Sequence, residues 1–203
     1  MQYRKELKIV TLSGPAGAGK TTIMKMFLAF RSFKLIESYT TRSKRQLEKD
    51  AGLKNEYVFV SQKDFEELIQ KERLVWYVKY DEHHYGTLKK SLKDALEAKH
   101  ISVMILTPET VATLREQIDK LGGDSKKNIA SFFIWAPEEN LRLRMAWRGD
   151  NPKSIRDRLD IAPFQHEKAR GLYLIEIENN DEQKPALIFQ KMVQEYLLAP
   201  PQT

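Results

Sequence analysis

The sequence predicts an α/β fold in which a parallel sheet carries helices on both faces. Three observations predict it. Short apolar runs alternate with helical patterns through most of the 203 residues. The first apolar run leads through a glycine-rich turn straight into a helix. One stretch, Ser38 to Thr87, breaks the alternation and reads as a small lobe inserted into the core.

The elements follow in order. Leu7 to Leu12 is a buried-strand pattern, and Lys20 to Phe30 a helix. Phe33 to Ile36 is a second strand. Within the lobe, Ser38 to Glu56 is polar and basic, and Tyr57-Val58-Phe59-Val60 is a short strand. Ser61-Gln62-Lys63-Asp64 resembles a capping box that opens a short helix, and Leu74 to Tyr80 is an aromatic-rich strand. The core rhythm resumes with a strand at Ile101 to Leu106. A helix opens at Pro108 and stops near Gly122-Gly123. Ile129 to Trp135 is a strand, and Pro137-Glu138-Glu139 opens the next helix with residues a first turn favours. Gly149-Asp150-Asn151-Pro152 breaks that helix, with Ser154 as the next cap. Leu172 to Ile177 and Lys184 to Leu198 give a last strand and helix.

Composition excludes whole classes of chemistry. There is no cysteine, so thiol catalysis, zinc knuckles, iron–sulfur ligation and disulfides are out. Hydrophobic residues at 41% and charged residues at 31% fit a globular chain. No apolar run approaches the roughly 20 residues of a membrane helix. The opening residues lead into a strand pattern without an apolar signal core, so a cytoplasmic location without a membrane partner is the default. Lys and Arg exceed Asp and Glu by 34 to 28, which favours anionic partners. His83-His84 has no third ligand at metal spacing and reads as lobe surface.

Gly14-Pro15-Ala16-Gly17-Ala18-Gly19-Lys20-Thr21 matches G-x-x-x-x-G-K-[ST] in full. The glycines let backbone N–H groups turn inward around a phosphate chain. The helix that follows presents its positive N-terminus to the anion. Lys20 neutralises charge on the β- and γ-phosphates, and the Thr21 hydroxyl is a ligand for Mg²⁺. With Thr22, these residues form a nucleoside-triphosphate site. The loop alone does not separate a kinase from a GTPase or an ATPase motor.

Two arginine clusters narrow the reading. Ser38-Tyr39-Thr40-Thr41-Arg42-Ser43-Lys44-Arg45 places two guanidiniums three residues apart among hydroxyls, a candidate anion clamp. Arg142, Arg144, Arg148, Arg156 and Arg158 lie on a helix–loop–helix that resembles a lid. Arg144 and Arg148 share one helix face, and Arg158 has Asp157 and Asp160 beside it for a local ion pair.

Taken together, these motifs resemble the guanylate kinase family of P-loop nucleoside monophosphate kinases. The ordered matches are Gly14 to Thr21, Ser38 to Arg45, Tyr57 to Val60, Tyr85-Gly86-Thr87, Arg144 to Gly149 with Arg158, and Asn180-Asp181. The resemblance implies a P-loop kinase-type sheet forming the core from 1–37 and 88–203. It also implies an acceptor-binding lobe over 38–87 and a lid at about 144–160. Ser38, Arg42, Arg45, Tyr57 and Tyr85 would bind the acceptor's phosphate, with Thr87 beside its base. Lys20, Arg144, Arg148 and Arg158 would be catalytic, stabilising the transferring phosphoryl. Asn180 would lie near the donor's adenine, and Asn179 aligns equally well.

Two positions depart from the family. The Glu that usually precedes the lobe's Trp and reads guanine is replaced by Val75, before Trp76. The Asp residues that end the next core strand are replaced by Ile105-Leu106-Thr107. Asp81 and Glu82 are the carboxylates at hand to substitute. Trp76 and Tyr80 read equally as base-stacking or packing residues. The implied reaction is phosphoryl transfer from Mg²⁺–ATP to a nucleoside monophosphate, with GMP or dGMP first. The alternatives are a different phosphorylated acceptor, such as another monophosphate or a sugar phosphate, and a non-catalytic binding module. No nucleic-acid recognition motif is present.

Overall fold

A computed structural model of the chain describes residues 2–44, 57–80, 82–172, 174–180 and 185–199. In chain order, β1 (Ile9–Ser13) leads through the glycine turn into α1 (Lys20–Leu28), β2 (Phe33–Leu35) and β3 (Ser38–Thr40). Then come β4 (Tyr57–Phe59), α2 (Gln62–Gln70), β5 (Leu74–Tyr80), β6 (His83–Leu88) and α3 (Lys89–Glu97). β7 (Ile101–Ile105), α4 (Pro108–Lys120), the single turn α5 (Ser125–Asn128) and β8 (Ile129–Trp135) follow. The chain closes with α6 (Glu138–Trp147), α7 (Pro152–Gly171), β9 (Ile175–Glu178) and α8 (Pro185–Met192). The last helix runs into a π-helical segment, Val193–Leu197.

Five strands form a parallel sheet in the order β2-β7-β1-β8-β9, and four form a separate mixed sheet in the order β4-β3-β6-β5. The large sheet is apolar on both faces because both are covered, as parallel sheets require. Val10, Leu12, Phe132 and Ile134 face one core with Phe27 and Ile188. Ile9, Met104 and Phe133 face the other, with Leu92, Val111 and Leu114. No helix among the described residues is long and apolar enough to cross a membrane.

The sequence places several boundaries differently. The first strand spans Ile9–Ser13 instead of 7–12, because Lys8 turns its N–H to Asn128 O outside the ladder. The last strand begins at Ile175, since Leu172 still closes α7 by donating to Lys168 O and Ala169 O. Asn151, not Ser154, caps α7: its side chain accepts the Ser154 N–H at 2.8 Å. The Ser61–Asp64 capping box is present in both directions. Strands β3 and β6 carry no strong apolar alternation, whereas helix α3 is amphipathic, with Leu92 and Ala95 buried three residues apart.

The parallel sheet puts its chemistry at one edge. The glycine loop follows the carboxyl end of β1, the mixed sheet departs after β2, and Thr107 follows β7. The arginine helices follow β8, and Asn179 follows β9. β1 is central, with β7 on one side and β8 on the other. That is the point where open α/β sheets bind ligands.

Candidate active site

The glycine loop is held in a shape that only glycine permits at three positions. Gly14, Gly17 and Gly19 have φ of 139°, 82° and 89°. A Cβ on Gly14 would stand 1.9 Å from Ile134 O, and one on Gly17 would stand 2.7 Å from Leu141 O. The loop is therefore clamped against β8 and α6, and Gly19 caps α1 in a left-handed conformation. Lys20 donates to Gly14 O and Pro15 O, both at 2.8 Å, so its ammonium sits at the loop's rim. Thr21 and the exposed Thr22 occupy the first turn of α1.

Arg144 spans from α6 to this loop. It donates to Gly17 O at 3.3 Å and to Asn179 O at 2.9 Å. Asn179 is 5% exposed, donates its side-chain amide to Ala18 O at 2.8 Å and ties its backbone N–H to Trp135 O. It is thus a loop support, a role sequence reasoning missed because the contact crosses 161 positions. Asn180, next along, is half-buried.

Arg148 and Arg158 converge on one carboxylate. Arg148 donates to Asp150 through Nε at 3.0 Å and also through Nη2, and Arg158 Nη1 reaches Asp150 Oδ2 at 3.0 Å. The sequence reading paired Arg158 with Asp157 or Asp160. Both of those are exposed. Gly149, at φ 84°, reverses the chain and brings Asp150 back under α7. Arg142 instead pairs with Glu138 on its own helix, and Arg156 is exposed.

The second cluster lies on one face of the mixed sheet. Ser38 pairs in register with Tyr57, and Thr40 with Tyr85. The hydroxyls of Ser38 and Thr87 share a hydrogen bond of 3.1 Å. Arg42 is 8% exposed, with its guanidinium 5.3 Å from the ring centres of both Tyr57 and Phe59. Tyr57 meets Tyr85 edge-on at 5.7 Å. The planar guanidinium is thereby oriented by aromatic faces, a task suited to Arg over Lys. Arg45 lies outside the described residues, as do Asp81, Asp181 and the Tyr80 side chain.

The lobe's strands set several of these positions. Trp76 stands opposite Thr87, with a bulge between Leu74 and Trp76. Val75 and Trp76 are both 7% exposed and pack into the core shared with α4. Glu82 is no replacement carboxylate: it sits in the hairpin turn with φ 63°, its side chain 87% exposed, bonded to Lys79 at 2.9 Å. Thr107 shares its hydroxyl with Thr110 at 2.8 Å. His84 ties its backbone N–H to Thr41 Oγ1 and its ring to Gln62 Oε1. Among the described residues no group of three His, Asp or Glu gathers for a metal ion.

Comparison with known proteins places this geometry. A family model described as guanylate kinase matches residues 6–196. A guanylate kinase of Mycoplasmoides gallisepticum is 29% identical over 197 residues, 95% of this chain and 94% of the relative. One from Caldanaerobacter subterraneus subsp. tengcongensis is 32% identical over 161 residues, 68% and 76% of the two chains. The crystal structure of guanylate kinase from Anaplasma phagocytophilum superposes with a TM-score of 0.67 at 20% identity. It covers 94% of this chain and 84% of that one, and shares the fold.

Proposed function

We infer the reaction from one premise: this chain belongs to the guanylate kinase family. It transfers the γ-phosphoryl group of ATP to the phosphate of a nucleoside monophosphate, with GMP or dGMP the first candidate acceptor. The observation that carries this is a pair of cationic clusters: Lys20 with Arg144 at the glycine loop, on the carboxyl end of the parallel sheet, and Arg42 with its tyrosines on the mixed sheet that departs from that end after β2. Residues 38–87 serve as the acceptor lobe and about 144–160 as the lid.

The chemistry asks for positioning and charge neutralisation, with no covalent intermediate. The N–H groups of Gly14 to Thr21 cradle the donor's phosphates, with Thr22 and Asn180 completing the ATP site. Arg42, Arg45, Ser38, Tyr57 and Tyr85 hold the acceptor's phosphate, and Thr87 lies beside the acceptor's other end. Lys20, Arg144, Arg148 and Arg158 offset charge that spreads over the transferring group. The clamped glycine loop, with no room for a Cβ at Gly14, fits a phosphate–Mg²⁺ site. Thr21 would supply its one protein oxygen. When bound, the ion screens the phosphate oxygens, and Mg²⁺ ordinarily keeps waters with one or two protein ligands.

One observation favours a second reading, an acceptor other than guanylate. The wall beside Thr87 is Trp76, and Thr107 offers a hydroxyl already engaged with Thr110. Guanine presents N1–H and N2–H₂ donors that call for a carboxylate. A panel of GMP, dGMP, AMP, CMP, UMP and ribose phosphate, each with ATP and Mg²⁺, separates the readings by kcat/KM. GMP preferred by about 10⁴-fold supports the guanylate reading. A preference below about 10³-fold, or a different best acceptor, supports the second. No monophosphate-dependent ADP release from any of them defeats both.

A further inference from the structure

The edge of the parallel sheet opposite the glycine loop holds a cavity of about 560 Å³. Its walls come from the amino ends of three adjacent strands, β1, β7 and β2. Arg4, Lys5, Lys8, Arg31, Lys34 and Lys99 line it, and among the described residues no Asp or Glu does. Six basic side chains thus meet in one concave place.

Among the described residues no acidic side chain pairs with these cations. Lys8 Nζ donates to Ala98 O at 2.8 Å, and Arg4 reaches Tyr196 O and Lys127 O, each at 3.4 Å; these partners are carbonyls. The side chains of Lys5, Arg31, Lys34 and Lys99 make no hydrogen bond or ion pair with any described residue. The adjacent acids point elsewhere, Glu6 to Lys127 at 3.7 Å and Glu97 to Lys93 at 4.0 Å. His100, on the wall, is held below the ordinary imidazole range by burial and then by Lys34 and Lys8. The walls are preorganised, with Ile101 N–H bonded to Ser32 O at 2.9 Å and Ser102 N–H to Lys8 O at 2.7 Å.

We propose that this cavity is a second anion site, separate from the glycine loop, for a small ligand carrying a chain of three or more phosphates. Its volume lies within the roughly 300–1,000 Å³ of small-molecule pockets. A single phosphate brings about two charges and leaves most of the six cations unmatched, whereas a triphosphate chain brings about twice as many. A nucleic-acid strand is disfavoured. Such surfaces stack bases on open aromatic faces, and the cavity's Tyr3 already meets Phe33 edge-on at 5.2 Å. β1 alone puts about 16 Å between the two anion sites, twice the ~8 Å Debye length at physiological salt. Each site therefore binds independently of the other's charge.

Calorimetric titration of the full chain with inorganic tripolyphosphate at about 0.15 M ionic strength tests the proposal. The wild type is expected to bind two equivalents, one at each site. Lys34→Glu with Lys99→Glu, both at exposed positions, should retain one equivalent and an unchanged kcat. Its second site should weaken by about 10²-fold, the scale of two lost charge-assisted contacts. The second equivalent should weaken steeply with salt. ATP and GTP titrations into the Lys20→Met variant then separate an inorganic ligand from a nucleotide. A single equivalent in the wild type, or two in the folded double variant, overturns the proposal. So does a single-stranded RNA that binds this cavity where tripolyphosphate does not.

Discussion

Replacing Asn179 by alanine removes one amide from a position 5% exposed, where it donates to Ala18 O at 2.8 Å. Its backbone bonds, to Trp135 O and from Arg144, survive the change. A neutral hydrogen bond is worth about 1 kcal/mol net, but removing only its donor leaves a buried carbonyl unpaired and costs about 1–3 kcal/mol in all. Ala18 is fully buried, which favours the upper part of that range. A total of roughly 2–3 kcal/mol is expected. In urea, with m near 2 kcal/mol/M, the unfolding midpoint should drop by about 1 M at unchanged m. Asn179→Asp should cost at least as much, since it turns a carboxylate oxygen toward that carbonyl. Both variants loosen the loop carrying Gly17 and Gly19, so KM for ATP should rise in proportion more than KM for the acceptor. An unfolding midpoint within about 0.2 M of wild type for Asn179→Ala would refute the reasoning.

Arg42→Ala should raise KM for the acceptor by about 10–10²-fold, the scale of a lost charge-assisted clamp of about 1.5–3 kcal/mol, with a smaller change for ATP. Arg45→Ala should do the same. Separate titrations of the two substrates check both, and a defect confined to ATP contradicts the placement. His100 predicts a pH dependence. Its folded pKa is lowered by burial and by Lys34 and Lys8, so the unfolded chain takes up the proton first. Stability therefore rises with pH through the window ending near 6.5 and is lost as pH falls below it. Melting curves at about pH 7.5 and 5.5 should show a smaller drop for His100→Gln than for wild type, and equal drops would contradict this assignment.

Much of the phosphate loop was legible because its residues are contiguous and each has a separate physical reason to be there. The Ser61–Asp64 capping box was legible for the same reason: its partners lie three residues apart. Strand β3 was not, because Ser38-Tyr39-Thr40 is polar on the face that carries the Arg42 cluster and has no apolar alternation to read. The Trp76 register depends on a bulge that sequence spacing does not reveal. Arg158 was assigned to acids beside it in sequence, yet its carboxylate lies eight residues back, across a left-handed glycine. The loop-supporting contact of Asn179 and the basic cavity failed to show for a shared cause. Their contacts join segments far apart in the chain, so the total charge was visible and its location was not.

The central claim is that this glycine loop drives phosphoryl transfer to a monophosphate. Its most direct test is ADP formation from ATP and Mg²⁺, with and without the best acceptor, in wild type and in Lys20→Met, with thermal melts confirming that both fold. The account predicts acceptor-dependent ADP in the wild type and a kcat at least about 10²-fold lower in the variant, because Lys20 acts on charge present only in the transition state. Near-normal turnover in folded Lys20→Met, or ADP formation indifferent to the acceptor, would contradict it.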